Sequence, residues 1–175
     1  MERELLDAFL GGDQPAFESL VLMYRRPAVL FALRLTRELA AAEDAVQEAF
    51  AWLWAHPERI RPGSSFKALL YTLVRRRCMD WFRALRRTVP LEEGTPDARV
   101  YAPGAVFARE RALALYEALD GIAPRYARVI HLLDIEGFTL RETADILGTT
   151  VGAVKTAHHR AKDALRVRLR MEGLE

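Results

Sequence analysis

TLRETADILGTTVGAVKTAHHRAKDALRVRLR, residues 139–170, is the stretch that decides what kind of fold this chain adopts. Thr139, with Glu142 three positions later, has the pattern of a capping box that opens a helix. That helix, TLRETADIL, runs to Gly148, the residue type that most readily ends one. Thr149 or Thr150 then caps a second helix. Helix, short glycine-containing turn, helix is a helix-turn-helix arrangement. In the second helix Val154, Ala157, Ala161 and Leu165 fall on one inner stripe. Lys155, Thr156, His159, Arg160 and Lys162 are left to point outward, as a reader of the DNA major groove requires. Antiparallel helix pairs with no nucleic-acid partner share this periodicity, so at this point both readings stand.

Working outward, nothing in the 175 residues reads as a strand: there is no sustained alternation and no Asn-Gly or Asp-Gly hairpin turn. Helical periodicity recurs instead. It predicts helices near 2–10, 14–36, 40–55, 66–87, 106–120, 124–135, 139–147 and 151–170. Gly11-Gly12, the segment Pro57–Ser65 and the segment Thr88–Gly104 interrupt them. The last, TVPLEEGTPDARVYAPG, has three prolines, two glycines and three acids and no helical stripe. It reads as an interdomain linker, which fully extended would reach roughly 55–60 Å; a surface loop folded back within one domain is the other reading. The predicted fold class is all-α, with two small helical domains joined by a flexible linker. The expected boundaries are 1–88, 89–105 and 106–175, the last domain containing the helix-turn-helix.

The formal net charge of +2 implies no partner, but its distribution does. Residues 75–87 hold six arginines against Asp80, and residues 153–170 hold six Lys or Arg against Asp163. Two compact basic stretches, one in each half, suit a polyanion. With 51% hydrophobic and 29% charged residues the chain is expected to be globular rather than disordered.

Two stretches in the N-terminal half carry further signal. In AAEDAVQEAFAWLW, 41–54, the residues Ala45, Val46, Ala49, Phe50, Leu53 and Trp54 form a core stripe. Asp44, Gln47, Glu48 and Ala51 share the opposite face, with Trp52 on its continuation. Trp54 is therefore expected in the core. Trp52 is either an exposed protein-contact residue, of the kind enriched at interfaces, or lies flat on a neighbouring helix. In the helix opening at Phe66, the residues Phe66, Leu70, Leu73, Val74, Cys78, Trp81, Phe82 and Leu85 make one apolar stripe. Thr72, Arg75, Arg76, Met79, Arg83 and Arg86 line the other face. An arginine ridge with the single acid Asp80 among it repels itself by a few tenths of a kcal/mol per like pair, a cost that a polyanion would relieve. A solvated face is the plainer reading. Trp81 and Phe82 are expected to be core rather than base-stacking platforms.

Several classes are disfavoured. The single cysteine, Cys78, allows no intrachain disulfide and lies on an apolar stripe, which argues against a catalytic thiol. His131 and Asp134 are three apart with no further ligand near them, and His158 and His159 diverge by about 100° on a helix, so no metal is expected. There is no nucleophile elbow, phosphate loop or HExxH motif, and no cofactor is implied. No apolar run approaches the roughly 18 residues of a membrane span, and the charged, amphipathic N-terminus is unlike a signal peptide. The expected location is cytoplasmic.

Taken in order, EDAVQEAFAWLW, FKALLYTLVRRRCMDWFR, a Pro/Gly linker and EGFTLRETADILGTTVGAVKTAHHRAKDAL resemble bacterial RNA polymerase sigma factors of the extracytoplasmic-function group, over residues 14–168. The resemblance implies a non-enzymatic initiation factor whose partners are core RNA polymerase (clamp and flap), promoter DNA and an anti-sigma factor. It places Asp44, Gln47, Glu48 and Trp52 on the clamp-docking helix. Ser64, Ser65 and Lys67 fall on the loop that captures a flipped −10 base, beside the Arg75, Arg76 and Arg83 ridge. Lys155, Thr156, His159 and Arg160 match the −35 readers, the same outward set that the periodicity selects, with Lys162 beside them. The chain departs from the family where Arg75-Arg76 replaces a common Arg-Asn, and where Ala157 replaces a common Arg. It resembles the members with no domain inserted between the two halves and no long tail. A stand-alone helix-turn-helix regulator is the rival, and predicts a dimer on a palindromic operator.

Overall fold

The computed structural model describes residues 1–88 and 110–171. The chain divides into two compact units, Met1–Gly94 and Thr95–Glu175. Among the described residues every regular element is a helix. The predicted linker 89–105 and the first residues of the helix expected from 106 lie outside those described.

The first unit contains α1 (Glu2–Leu10), α2 (Gln14–Thr36), α3 (Leu39–Ala55), a 3₁₀ turn at Pro57–Arg59, and α4 (Phe66–Thr88). Proline near the start of α2 is tolerated because its missing N–H has no intrahelical partner there. The helix ends where Arg37 adopts a left-handed conformation, φ 58°, with its N–H on Leu33 O at 2.8 Å. Helices α2, α3 and α4 pack on one another, with α1 against α2. The core is aromatic: Phe17 meets Phe9, Phe50 and Phe66 at ring-centroid distances of 4.7, 6.2 and 6.2 Å, and Phe31 meets Tyr71 at 5.0 Å. Fully buried Phe31 and Phe66 each contribute about 1.5–3 kcal/mol by leaving water.

The second unit contains α5 (Glu110–Asp120), α6 (Pro124–Ile130), α7 (Leu140–Leu147) and α8 (Val151–Met171). Residues His131–Ile135 continue α6 in π geometry, where a plain helix over 124–135 was expected. Two small clusters hold this unit. Leu119, Ala127, Ile130 and Ala161 join α5, α6 and α8, while Val129, Ala144 and Val154 join α6, α7 and α8. Helix α8 thus serves both, through Val154 at its start and Ala161 two turns on.

Candidate nucleic-acid interface

The α7–α8 turn is built as its punctuation requires. Thr139 Oγ1 accepts from Glu142 N at 3.2 Å, and Glu142 Oε2 accepts from Thr139 N at 2.9 Å, a complete capping box. Gly148 ends α7 in the left-handed region at φ 64°. Thr150, rather than Thr149, supplies the next cap, its Oγ1 accepting from Ala153 N at 3.1 Å. On α8 Val154 and Ala161 are buried, and Ala157 and Leu165 are half-buried against the two clusters. Lys155, Thr156, His159, Arg160 and Lys162 are all exposed, which leaves three fixed cations, a hydroxyl and an imidazole along one helix. Lys155 and Arg160 have no acid within ion-pair distance among the described residues. Thr156 donates to Gly152 O at 3.1 Å, and His159 lies 3.7 Å from Asp163. His158, one residue away, turns inward: its Nε2 is 2.7 Å from Asp134 Oδ2, tying α8 to the π segment. Its place four residues after buried Val154 is the sequence signal that separates it from His159.

The second cationic surface lies on α4. Burial along its apolar stripe is complete from Phe66 to Cys78 and then declines. Trp81 and Phe82 are half-buried, each covering the other at 4.9 Å, and Leu85 is 42% exposed. These three are less core-like than expected, because helices that cross at an angle separate toward their ends. Arg76, Arg83, Arg86 and Arg87 are exposed and Arg75 half-buried. Arg83 meets Asp80, three residues back, at 2.6 Å. Arg77, which lies at the edge of the apolar stripe, pairs with Glu48 of α3 at 3.5 Å.

The segment leading into α4 is tied mainly to itself. Ser64 N and Oγ both donate to Arg61 O, at 3.1 and 2.7 Å, and Gly63 takes φ 78°. Ser65 Oγ accepts from Ala68 N at 3.1 Å, so this serine caps α4. The Lys67 ammonium lies 5.9 Å from the centroid of the Tyr71 ring.

On α3, Asp44, Gln47 and Glu48 are exposed on one face, as expected. Of the two tryptophans, Trp54 departs from expectation. Trp54, expected in the core, is 43% exposed, resting one side on Phe17 and Phe9 at 5.2 and 5.9 Å. Trp52 is half-buried and stacked on His56 at 4.8 Å. At about 100° per residue both rings lie about 100° from the centre of the apolar stripe, one on each edge. Edge positions are half-wet whatever their residue type.

Burial pushes the Cys78 thiol up to about 12, so it carries almost no thiolate at neutral pH and is chemically inert. His131 is fully buried with Nε2 3.3 Å from Glu136. No cluster of three or more His, Cys, Asp or Glu able to hold a metal occurs among the described residues. Among them, too, no helix is long and apolar enough to cross a membrane.

Two family models match the chain: Sigma-70 region 2 over residues 20–88, and Sigma-70, region 4 over residues 112–165. The chain is 35% identical over 152 residues to the ECF RNA polymerase sigma factor SigL of Mycobacterium tuberculosis, covering 82% of this chain and 83% of that protein. It is 29% identical over 171 residues to the ECF RNA polymerase sigma factor SigW of Bacillus subtilis, covering 91% of each. The fold is shared with CnrH in its complex with the cytosolic domain of CnrY (TM-score 0.66, 24% identity, 97% of each chain). It is shared also with the sigma factor RpoE in complex with the anti-sigma factor NepR from Bartonella quintana (TM-score 0.68, 24% identity, 88% of this chain and 96% of that one).

Proposed function

Because the chain belongs to the extracytoplasmic-function group of the sigma-70 family of RNA polymerase sigma factors, we propose that its two units divide promoter recognition between them. The protein binds core RNA polymerase and directs promoter-specific initiation. In the division proposed, residues 1–88 dock on the polymerase clamp and open the −10 element, while residues 106–175 read the −35 element and meet the flap. The observation that carries this reading is the geometry of α8, which buries Val154 and Ala161 and presents Lys155, Thr156, His159, Arg160 and Lys162 together to solvent. Lys155 and Arg160 donate to guanine O6 and N7 or to phosphate, and Thr156 bonds base edges. Asp44, Gln47, Glu48 and Trp52 form the docking face. Ser64, Ser65 and Lys67 receive the unstacked −10 base, and Arg75, Arg76 and Arg83 hold the backbone beside it.

The factor performs no covalent chemistry. Unstacking costs a few kcal/mol per base, which polymerase contacts, phosphate contacts and capture of the base offset. Its place of action is the cytoplasm, where polymerase and promoter are. The solved relative RpoE, bound to the anti-sigma factor NepR, supports an anti-sigma factor as a third partner. The test is reconstitution: purified core polymerase plus this protein should initiate at a defined promoter that core alone does not use. Failure to start with core, together with polymerase-independent binding to a palindromic site, would restore the stand-alone regulator.

A further inference from the structure

We propose that Glu2 is a positioning residue for −10 recognition: its carboxylate reaches from α1 to cap the first turn of α4 and holds the Ser64–Lys67 segment in its DNA-receiving geometry. The proposal rests on the reading of Ser64, Ser65 and Lys67 as the −10 contact. The first N–H groups of any α-helix have no partner within the helix. In α4 each has one outside it. Phe66 N donates to Glu2 Oε1 at 3.0 Å, Lys67 N reaches the same oxygen at 3.5 Å, and Ala68 N goes to Ser65 Oγ. The other Glu2 oxygen accepts from Tyr24 Oη of α2. One half-buried carboxylate therefore joins three helices across 22 and 64 residues of sequence. A negative charge at the positive end of a helix dipole, in charge-assisted bonds, is a stronger tie than a neutral cap.

Two consequences bear on DNA. A helix N-terminus with free N–H groups attracts phosphate, and here Glu2 and Ser65 occupy those groups. Nucleic acid must then be held by side chains of the segment, Ser64 Oγ and Lys67 Nζ, rather than by the backbone. Just before α4 the chain is tied locally, Ser64 to Arg61 around a left-handed Gly63, and Phe66 then enters the aromatic core. Buried Phe66 fixes the start of α4 in the core, and Glu2 is the polar tie from another helix that sets the direction in which Lys67 leaves the backbone.

The test uses holoenzyme assembled from core polymerase and full-length variants. Two affinities are measured: for core, and for a fluorescein-labelled promoter fragment pre-opened at −10, cut from the promoter on which reconstituted transcription starts. Glu2→Ala should weaken binding to the opened fragment about tenfold while core affinity stays within about twofold. Glu2→Gln, which keeps an oxygen for both amides, should restore binding to within about threefold of the parent. Unchanged binding by Glu2→Ala, equal losses toward core and DNA, or no rescue by Gln would each overturn the proposal. Ser64→Ala with Lys67→Ala is measured in parallel. If that pair weakens binding and Glu2→Ala does not, only the role of Glu2 falls; if the pair binds like the parent, the −10 reading of the segment falls and takes the proposal with it.

Discussion

Arg75 and Arg76 carry charge that no acid among the described residues neutralises, whereas Arg77 and Arg83, on the same helix, are each paired, with Glu48 at 3.5 Å and Asp80 at 2.6 Å. Exposed pairs of this kind contribute about 0–1 kcal/mol, so pairing matters here less for stability than for which arginines are left available to the proposed phosphate contact. Replacing Arg75 and Arg76 together by Ala should slow promoter opening several-fold and flatten its log–log salt dependence by about 1–2 units, one per lost phosphate contact. Core binding should persist. Arg83→Ala should do less, since Asp80 already competes for it. Opening followed by fluorescence across a salt series decides this, and an unchanged slope would remove the ridge from the DNA contact. The ridge itself was legible from 3.6-residue periodicity, and so was the acid three residues before Arg83. The Arg77–Glu48 pair was not, because it depends on the register of two helices packed face to face. Nor was the exposure of Trp54, since an edge position looks apolar in a helical stripe until its neighbours are known.

At the scale of elements, residues with strong backbone preferences announced the structure. Thr139, Glu142 and Gly148 mark the ends of α7 because a hydroxyl cap, a reciprocating carboxylate and a left-handed terminus are each satisfied by very few residue types. That dependence is measurable. Thr139→Ala removes the capping-box acceptor and should destabilise the second unit by about 1 kcal/mol. Gly148→Ala forces a β-carbon into φ 64° and should cost at least about 1 kcal/mol. Both should appear as lower denaturation midpoints at unchanged slope; a neutral Gly148→Ala would mean that the turn relaxes away from the left-handed conformation. The π segment His131–Ile135 had no such signal. One turn of wider geometry, closed by Glu136 N on His131 O at 2.9 Å, hardly shifts the apolar period, and its tie from His158 to Asp134 becomes visible only once α8 lies against it.

For the whole molecule, the consequential fact is that each unit has a core of its own. Among the described residues, the aromatic cluster around Phe17 and Phe66 draws on α1 to α4, and the clusters around Ile130 and Val129 draw on the helices from α5 to α8. This partition was legible because a Pro/Gly-rich, acidic stretch separates two runs of helical periodicity. Substitutions in sites supported by separate cores should add. Lys155→Ala with Arg160→Ala should weaken holoenzyme binding to duplex promoters containing the −35 element by about 1–3 kcal/mol, yet leave binding to a pre-opened −10 fragment unaltered. Arg75→Ala with Arg76→Ala should do the reverse. On a full promoter the fourfold variant should lose the sum of the two losses to within about 0.5 kcal/mol. Affinities of the four proteins, measured at one salt concentration, close the cycle. A coupling well above that margin would mean that engagement of one unit alters the other, so that −35 reading and −10 opening are a single event rather than two that share a polymerase.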